Sequence, residues 1–148
     1  MKTWRKPLKI GLVGATGVVG ETFINLLEEY AYPVEEFRPF ASQNSEGLKL
    51  FLAGYEWAVQ TLKPGCFNGL DMVFFSSGDD ISKEWAPQAM KAGAFAIDNS
   101  NAFRMDQNIS LVVPEVNGHL LNKDSKPQII ANPNCSTIQL TVALKPLL

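Results

Sequence analysis

The sequence predicts an α/β fold, a mostly parallel sheet flanked by helices. Two patterns carry that expectation. Short apolar runs alternate with longer stretches of helical periodicity, which is the signature of β-α-β units. The first apolar run, Leu8–Val13, also passes through a glycine turn straight into a helical segment.

The elements follow in order. Leu8–Val13 is the first strand. The first helix is expected from about Gly17 to Tyr30, with Phe23, Ile24, Leu26 and Leu27 spaced to share its buried side, and Pro33 ends the turn behind it. A second strand is expected over Phe37–Ala41, a polar turn over Ser42–Gly47, and two short strands, Leu48–Leu52 and Glu56–Leu62, around Gly54. Asp71–Phe75 reads as a buried strand, followed by a helix over Asp80–Ala92 with Ser82 or Asp80 as its cap. Phe95–Ile97, Leu111–Val113 and Gln128–Ala131 are expected as further strands. A last helix opens near Cys135 and runs to the end of the chain. There Ile138, Leu140, Val142, Ala143, Leu144, Leu147 and Leu148 make an uncapped apolar stop, so the chain reads as a fragment.

Composition bounds the function. The 148 residues suffice for one domain with a core, and 46% hydrophobic with 19% charged residues is ordinary for a soluble globular protein. A net charge of −2 argues against a nucleic-acid partner. No apolar run reaches the roughly 18 residues of a membrane span. Met1–Lys9 has no apolar stretch of the secretory kind, so a cytoplasmic protein without a membrane partner is expected. The cluster Lys2, Arg5 and Lys6 reads as a solvated terminus. Cys66 and Cys135 lack metal-ligand spacing, so no metal is expected, and free thiols are preferred to a disulfide. Cys66, between Gly65 and Phe67, has nothing to recommend it as reactive and reads as structural.

Gly14-Ala15-Thr16-Gly17-Val18-Val19-Gly20 lies between the first strand and the first helix. That is the context of a Rossmann-like dinucleotide fold: small residues permit a tight turn and close backbone approach to a pyrophosphate. The helix amino terminus then offers N–H groups and positive partial charge. The end of the second strand bears on cofactor type. An acidic residue there would bond the ribose hydroxyls of NAD. Here Ala41-Ser42-Gln43-Asn44-Ser45 holds no acid, and its hydroxyl and amide groups suit a 2′-phosphate, although no arginine is present. NADP is favoured, with NAD as the alternative.

Asn132-Pro133-Asn134-Cys135-Ser136-Thr137 follows a strand and opens a helix. A cysteine at a helix amino terminus has its thiolate favoured by the dipole, and the nearby N–H groups suit a developing oxyanion. Cys135 is therefore a candidate nucleophile.

With both turns in view, the sequence resembles the aspartate-semialdehyde dehydrogenases. The resemblance rests on Gly11–Gly20, Phe74–Gly78, Asp98–Arg104, Leu111–Asn117 and Asn132–Gln139, in the family's order and across almost the whole chain. It implies NADPH-dependent reduction of aspartyl β-phosphate to the semialdehyde through a cysteine thioester, in the route to lysine, threonine, methionine and isoleucine. By the same resemblance Cys135 is the nucleophile, Asn134 shapes the substrate site, and Arg104 binds phosphate. Gly14, Thr16, Gly17, Val18 and Val19 hold the pyrophosphate, and Asn44 and Ser45 the 2′-phosphate; Ser77, Gly78 and Asn99 line the cofactor site. Many relatives carry arginine in place of Asn44.

The family continues for a second half that supplies the acid–base histidine and most of the interface of a homodimer or homotetramer. His119, the one histidine present, does not match the catalytic one and reads as a surface or helix-start residue. The expectation is an NAD(P)-binding domain over 1–148 that binds nucleotide without turnover. N-acetyl-γ-glutamyl-phosphate reductase is the nearest alternative, though its cysteine turn typically reads Pro-Gly-Cys. A non-catalytic nucleotide-binding module is the alternative of another class.

Overall fold

The computed structural model describes residues 6–121 and 124–147. In chain order it contains β1 (Leu8–Val13), α1 (Val18–Glu29), β2 (Val34–Phe40), β3 (Lys49–Leu52), β4 (Tyr55–Ala58), β5 (Met72–Phe75) and α2 (Asp79–Lys91). Then come β6 (Phe95–Asp98), β7 (Ser110–Leu111), α3 (Pro114–Asn117), β8 (Ile129–Ala131) and α4 (Cys135–Leu144). Six strands form one parallel sheet in the order β2-β1-β5-β6-β8-β7, while β3 and β4 make a separate antiparallel hairpin. The chain leaves β1 for β2 on one side and later reaches β5 on the other. That reversal opens a crevice at the carboxyl ends of β1 and β5.

The strand pleat divides the core in two. Ile10 and Leu12 of β1, Phe37 of β2 and Leu52 of the hairpin are buried together with Ile24 and Leu27 of α1. On the other face Val13, Phe40, Val73, Phe75 and Ala96 are buried with Trp85, Ala86 and Ala89 of α2. Phe23 of α1 stacks on Phe74 of β5, with ring centroids 4.5 Å apart. Farther along that face Met72, Phe95 and Ile97 are half-buried and line an open groove with Leu121 and Ile130.

The expected α/β class and parallel sheet hold, and β1 has the bounds read from the sequence. Several details differ. Leu26 is 43% exposed, because the buried line of α1 runs through Gly20, Ile24 and Leu27. β2 starts three residues earlier, at Val34, since β1 pairs with it from Leu8 onward. The strand expected to reach Leu62 ends at Ala58, leaving one parallel bridge, Phe40 to Gln60.

The cap of α2 is neither Ser82 nor Asp80 but Gly78. Ser82 is buried inside the helix, and Asp80 lies in its first turn. The strand expected over Leu111–Val113 is only Ser110–Leu111, because Val113 caps α3 and Pro114 opens it, a position that suits the fixed φ of proline. α4 stops at Leu144 and passes into a 3-10 turn, since Pro146 has no N–H with which to continue the ladder. Its residues Leu140 and Leu144 are exposed. Lys6 pairs with Asp71 at 3.3 Å, whereas Lys2 and Arg5 lie outside the described residues. No helix among the described residues is long and apolar enough to cross a membrane.

Candidate active site

The glycine turn joins three strands. Gly14 has φ +85°, and a Cβ there would lie 2.7 Å from the Ser76 carbonyl oxygen, so only glycine lets the turn pass this close to the end of β5. The N–H groups of Gly14 and Ala15 both donate to the Phe40 carbonyl at the end of β2, at 2.9 and 3.0 Å. Gly20 brings the first turn of α1 onto the strand; a Cβ there would stand 2.3 Å from the Gly14 carbonyl oxygen.

Gly17 is the N-cap of α1 and supplies no side-chain cap. Glu21 N–H to the Gly17 carbonyl, 2.9 Å, is the first ladder bond. The N–H groups of Val18, Val19 and Gly20 thus precede the ladder, at a positive helix end where Val18 is 82% exposed. Thr16 Oγ1 lies 3.5 Å from Ser45 Oγ, tying this turn to the 3-10 helix Gln43–Ser45 after β2, with Asn44 exposed beside it.

Between these ends lies a cleft of about 250 Å³ lined by Val13, Gly14, Ala41, Ser42, Leu62, Ser77 and Ile81. Its walls are mostly apolar, as a flat aromatic base requires. The Ser77 hydroxyl is buried and has no hydrogen-bond partner among the described residues, and Gly78 is the N-cap of α2 with no side-chain cap. An orphan hydroxyl and an uncapped helix end in one cleft fit a polar ligand such as a dinucleotide.

The second part of the site lies where β6 and β8 end. Asn99 donates its N–H to the Phe75 carbonyl at 3.0 Å, and its Oδ1 accepts from Asn132 Nδ2 at 2.7 Å. Arg104 donates Nε to the Asn132 carbonyl at 2.8 Å, Nη1 to Asn101 Oδ1 at 2.6 Å and Nη2 to the Asn99 carbonyl at 2.9 Å. All three acceptors are neutral, and among the described residues no carboxylate lies within ion-pair reach of this guanidinium. A half-buried guanidinium with no counter-ion among the described residues has charge and N–H donors that suit an anion.

Cys135 is the first residue of α4, exposed, with a free thiol. Asn134 is the N-cap, and its Oδ1 accepts from Thr137 N–H at 2.8 Å. Its oxygen therefore holds the cysteine turn.

The structure thus gathers Gly14, Thr16, Gly17, Val18, Val19, Asn44, Ser45, Ser77 and Gly78 around the ends of β1, β2 and β5. Arg104, Asn134 and Cys135 follow the ends of β6 and β8. Asn99, read from the sequence as a cofactor residue, has its backbone and Oδ1 committed to Phe75, Arg104 and Asn132. Sequence reasoning missed Asn101 and Asn132, although both stand inside motifs it quoted. It also missed Leu62 and Ile81, which only the tertiary fold brings into the cleft.

Cys66 is the other free thiol. Burial pushes its pKa above the ordinary 9.0, against a smaller opposing pull from nearby backbone hydrogen bonds, Arg38 and Lys63. The folded thiol keeps its proton to higher pH than the unfolded one. Its stabilisation is therefore complete below the unfolded value and is lost as pH rises through the folded value. Denaturant unfolding followed from about pH 7.5 to 10.5 should lose stability less steeply in Cys66→Ala than in the wild type.

The family model described as "Semialdehyde dehydrogenase, NAD binding domain" matches residues 9–124. The chain belongs to that family. As a semialdehyde dehydrogenase NAD-binding domain it is 51% identical over 140 residues to the aspartate-semialdehyde dehydrogenase of Aquifex aeolicus, covering 94% of this chain and 41% of that protein. Aspartate semialdehyde dehydrogenase II from Vibrio cholerae, solved in complex with ASA, superposes with a TM-score of 0.90 at 43% identity, over 96% of this chain and 46% of the other. The Candida albicans enzyme, solved with NADP, gives a TM-score of 0.75 at 32% identity, over 95% and 46% of the two chains. The semialdehyde dehydrogenase NAD-binding domain described here spans about two fifths of the length of the curated relatives it matches, 41% for the Aquifex protein and 42% for the Campylobacter jejuni one. Cys135 lies beyond the stretch that the family model covers.

Proposed function

We propose that this chain is the cofactor- and nucleophile-bearing part of an aspartate-semialdehyde dehydrogenase acting in amino-acid biosynthesis, and that it binds NADP. The observation that carries the reading is the uncompensated guanidinium of Arg104, bonded to Asn132 three residues before an exposed helix-start cysteine. A phosphate-bearing acyl group meets its anion site at Arg104 and its nucleophile at Cys135.

In this reading the Cys135 thiolate attacks the acyl carbon, a carbon–sulfur bond forms, and phosphate leaves with the carbon–oxygen electron pair toward Arg104. The N–H groups at the start of α4 stabilise the oxyanion that forms on the way. Bound NADPH would supply the hydride for reduction of the resulting thioester. Cys135 departs as thiolate when the aldehyde is released. The first-turn N–H groups of α1 would hold the pyrophosphate of the cofactor, Asn44 and Ser45 its 2′-phosphate, and Ser77 would bond it in the cleft. The acid–base group belongs to the length of such enzymes that this chain does not span, so the chain alone binds nucleotide without turnover.

Calorimetry with NADP and NAD tests the reading, using Gly17→Asp as the control. Aspartate is a good N-cap, so that variant keeps α1 folded while placing a carboxylate where the pyrophosphate goes. NADP binding in the wild type and its loss in the variant is the expected result. A folded wild-type chain that binds neither nucleotide, or a variant that binds like the wild type, would overturn the cofactor assignment.

A further inference from the structure

We infer that Asp79 and Asn101 are positioning residues for Arg104 and thereby set the strength of its anion site. The inference rests on the reading of Arg104 given above.

Two of the three acceptors around the guanidinium are backbone carbonyls, of Asn99 and Asn132, fixed by the pairing of β6 with β8. Asn132 N–H donates to the Asp98 carbonyl at 2.8 Å, and its side chain to Asn99 at 2.7 Å, which locks those carbonyls in place. The third acceptor, Asn101 Oδ1, is the one supplied by a side chain. Asn101 is exposed, so packing does not fix it. Its backbone N–H instead donates to Oδ1 of Asp79, the first residue of α2, at 2.9 Å. The helix that opens at the nucleotide cleft therefore holds the loop that aims the arginine.

The chemistry of the pair explains the residue types. A guanidinium has five N–H donors. Three are taken, which leaves one on each terminal nitrogen, enough for two oxygens of a phosphate. An amide at position 101 orients the group without cancelling its charge. A carboxylate there would form an ion pair and compete with the ligand.

The test is side-chain NMR of Arg104 in the ¹⁵N-labelled chain, with and without inorganic phosphate. Restricted rotation of the wild-type guanidinium is expected. Asn101→Ala and Asp79→Ala should release that rotation and weaken phosphate about tenfold, the worth of one hydrogen bond to a charged group. Asp79→Asn keeps a carbonyl oxygen for the Asn101 N–H and should restore both. Asn101→Asp should keep the guanidinium restricted yet lose phosphate, a split that a merely structural role would not produce. Rotation as slow in both alanine variants as in the wild type would overturn the inference. Released rotation in a chain whose wild type binds no phosphate would uphold the positioning and reject the phosphate reading of Arg104.

Discussion

Cys135→Ser is expected to remove acyl transfer, by at least about a thousandfold, while leaving fold and nucleotide affinity intact. Serine is nearly isosteric with cysteine but is a far weaker nucleophile without an adjacent base. The only side-chain hydrogen-bond partner of Cys135 among the described residues is Ser136, at 3.8 Å, and the residue is exposed, so little packing is disturbed. A substitution at such a surface position typically changes stability by less than about 0.5 kcal/mol. Intact-mass measurement after exposure to an acyl phosphate reads the effect directly, as a thioester adduct on the wild type and none on the variant. An adduct of equal yield on Cys135→Ser would assign the chemistry to another residue. Burial of Cys66 makes it the internal control, because it should acquire no adduct until the chain is unfolded.

Gly20→Ala should cause a large loss of stability from a single added methyl group. That methyl would meet the Gly14 carbonyl oxygen at 2.3 Å and the Ala15 Cα at 2.9 Å, both backbone atoms of the turn itself. A flexible side chain could move aside, but here α1 must lift from the strand or the turn must shift. Overpacking of this kind costs about 1–3 kcal/mol or more, against which the better helix propensity of alanine returns under about 1 kcal/mol. A net loss of about 2 kcal/mol, or a melting point roughly 4–8 °C lower, is the expected result of thermal unfolding. NADP affinity should fall as well, since the shift moves the N–H groups at the start of α1. At Gly17 the nearest contact of an added Cβ is looser, 3.4 Å to the Gly14 oxygen, so Gly17→Ala should be milder. Equal melting points for Gly20→Ala and the wild type would mean that helix and strand do not need this close approach.

The sheet was legible because its signals are local. Alternating apolar runs and the glycine spacing describe β1, α1 and the parallel class without tertiary information. Cys135 was legible as the start of a helix after a strand, and Arg104 through the motif that contains it. What escaped depends on partners distant in sequence. That Ser82 is buried rather than a cap, and that Gly78 caps α2, depends on where the helix meets β5 and β6. The role of Asn132 needs β8 laid beside β6, because its acceptor Asn99 is 33 residues away. Likewise, Leu62 and Ile81 become neighbours of Gly14 only once the chain has crossed from the hairpin to β5 and α2. The short α3 was missed for a different reason: Pro114 was a local start signal that the expected strand over Leu111–Val113 obscured.

The bonds that hold Arg104 also bear on the order in which the molecule assembles. The glycine turn is completed by β1, α1 and β2, near neighbours along the chain, with Phe40 closing it. The arginine's acceptors come together only after β6 has paired with β8 across a long excursion through β7 and α3, and closing such a loop costs entropy that a nascent chain recovers late. Hydrogen exchange should accordingly find the nucleotide turn protected at a stage, or at a denaturant concentration, where the loop carrying Arg104 is still open. Under the function proposed above, a chain in that state would bind nucleotide but not the acyl phosphate, so recognition of the two ligands need not be gained or lost together.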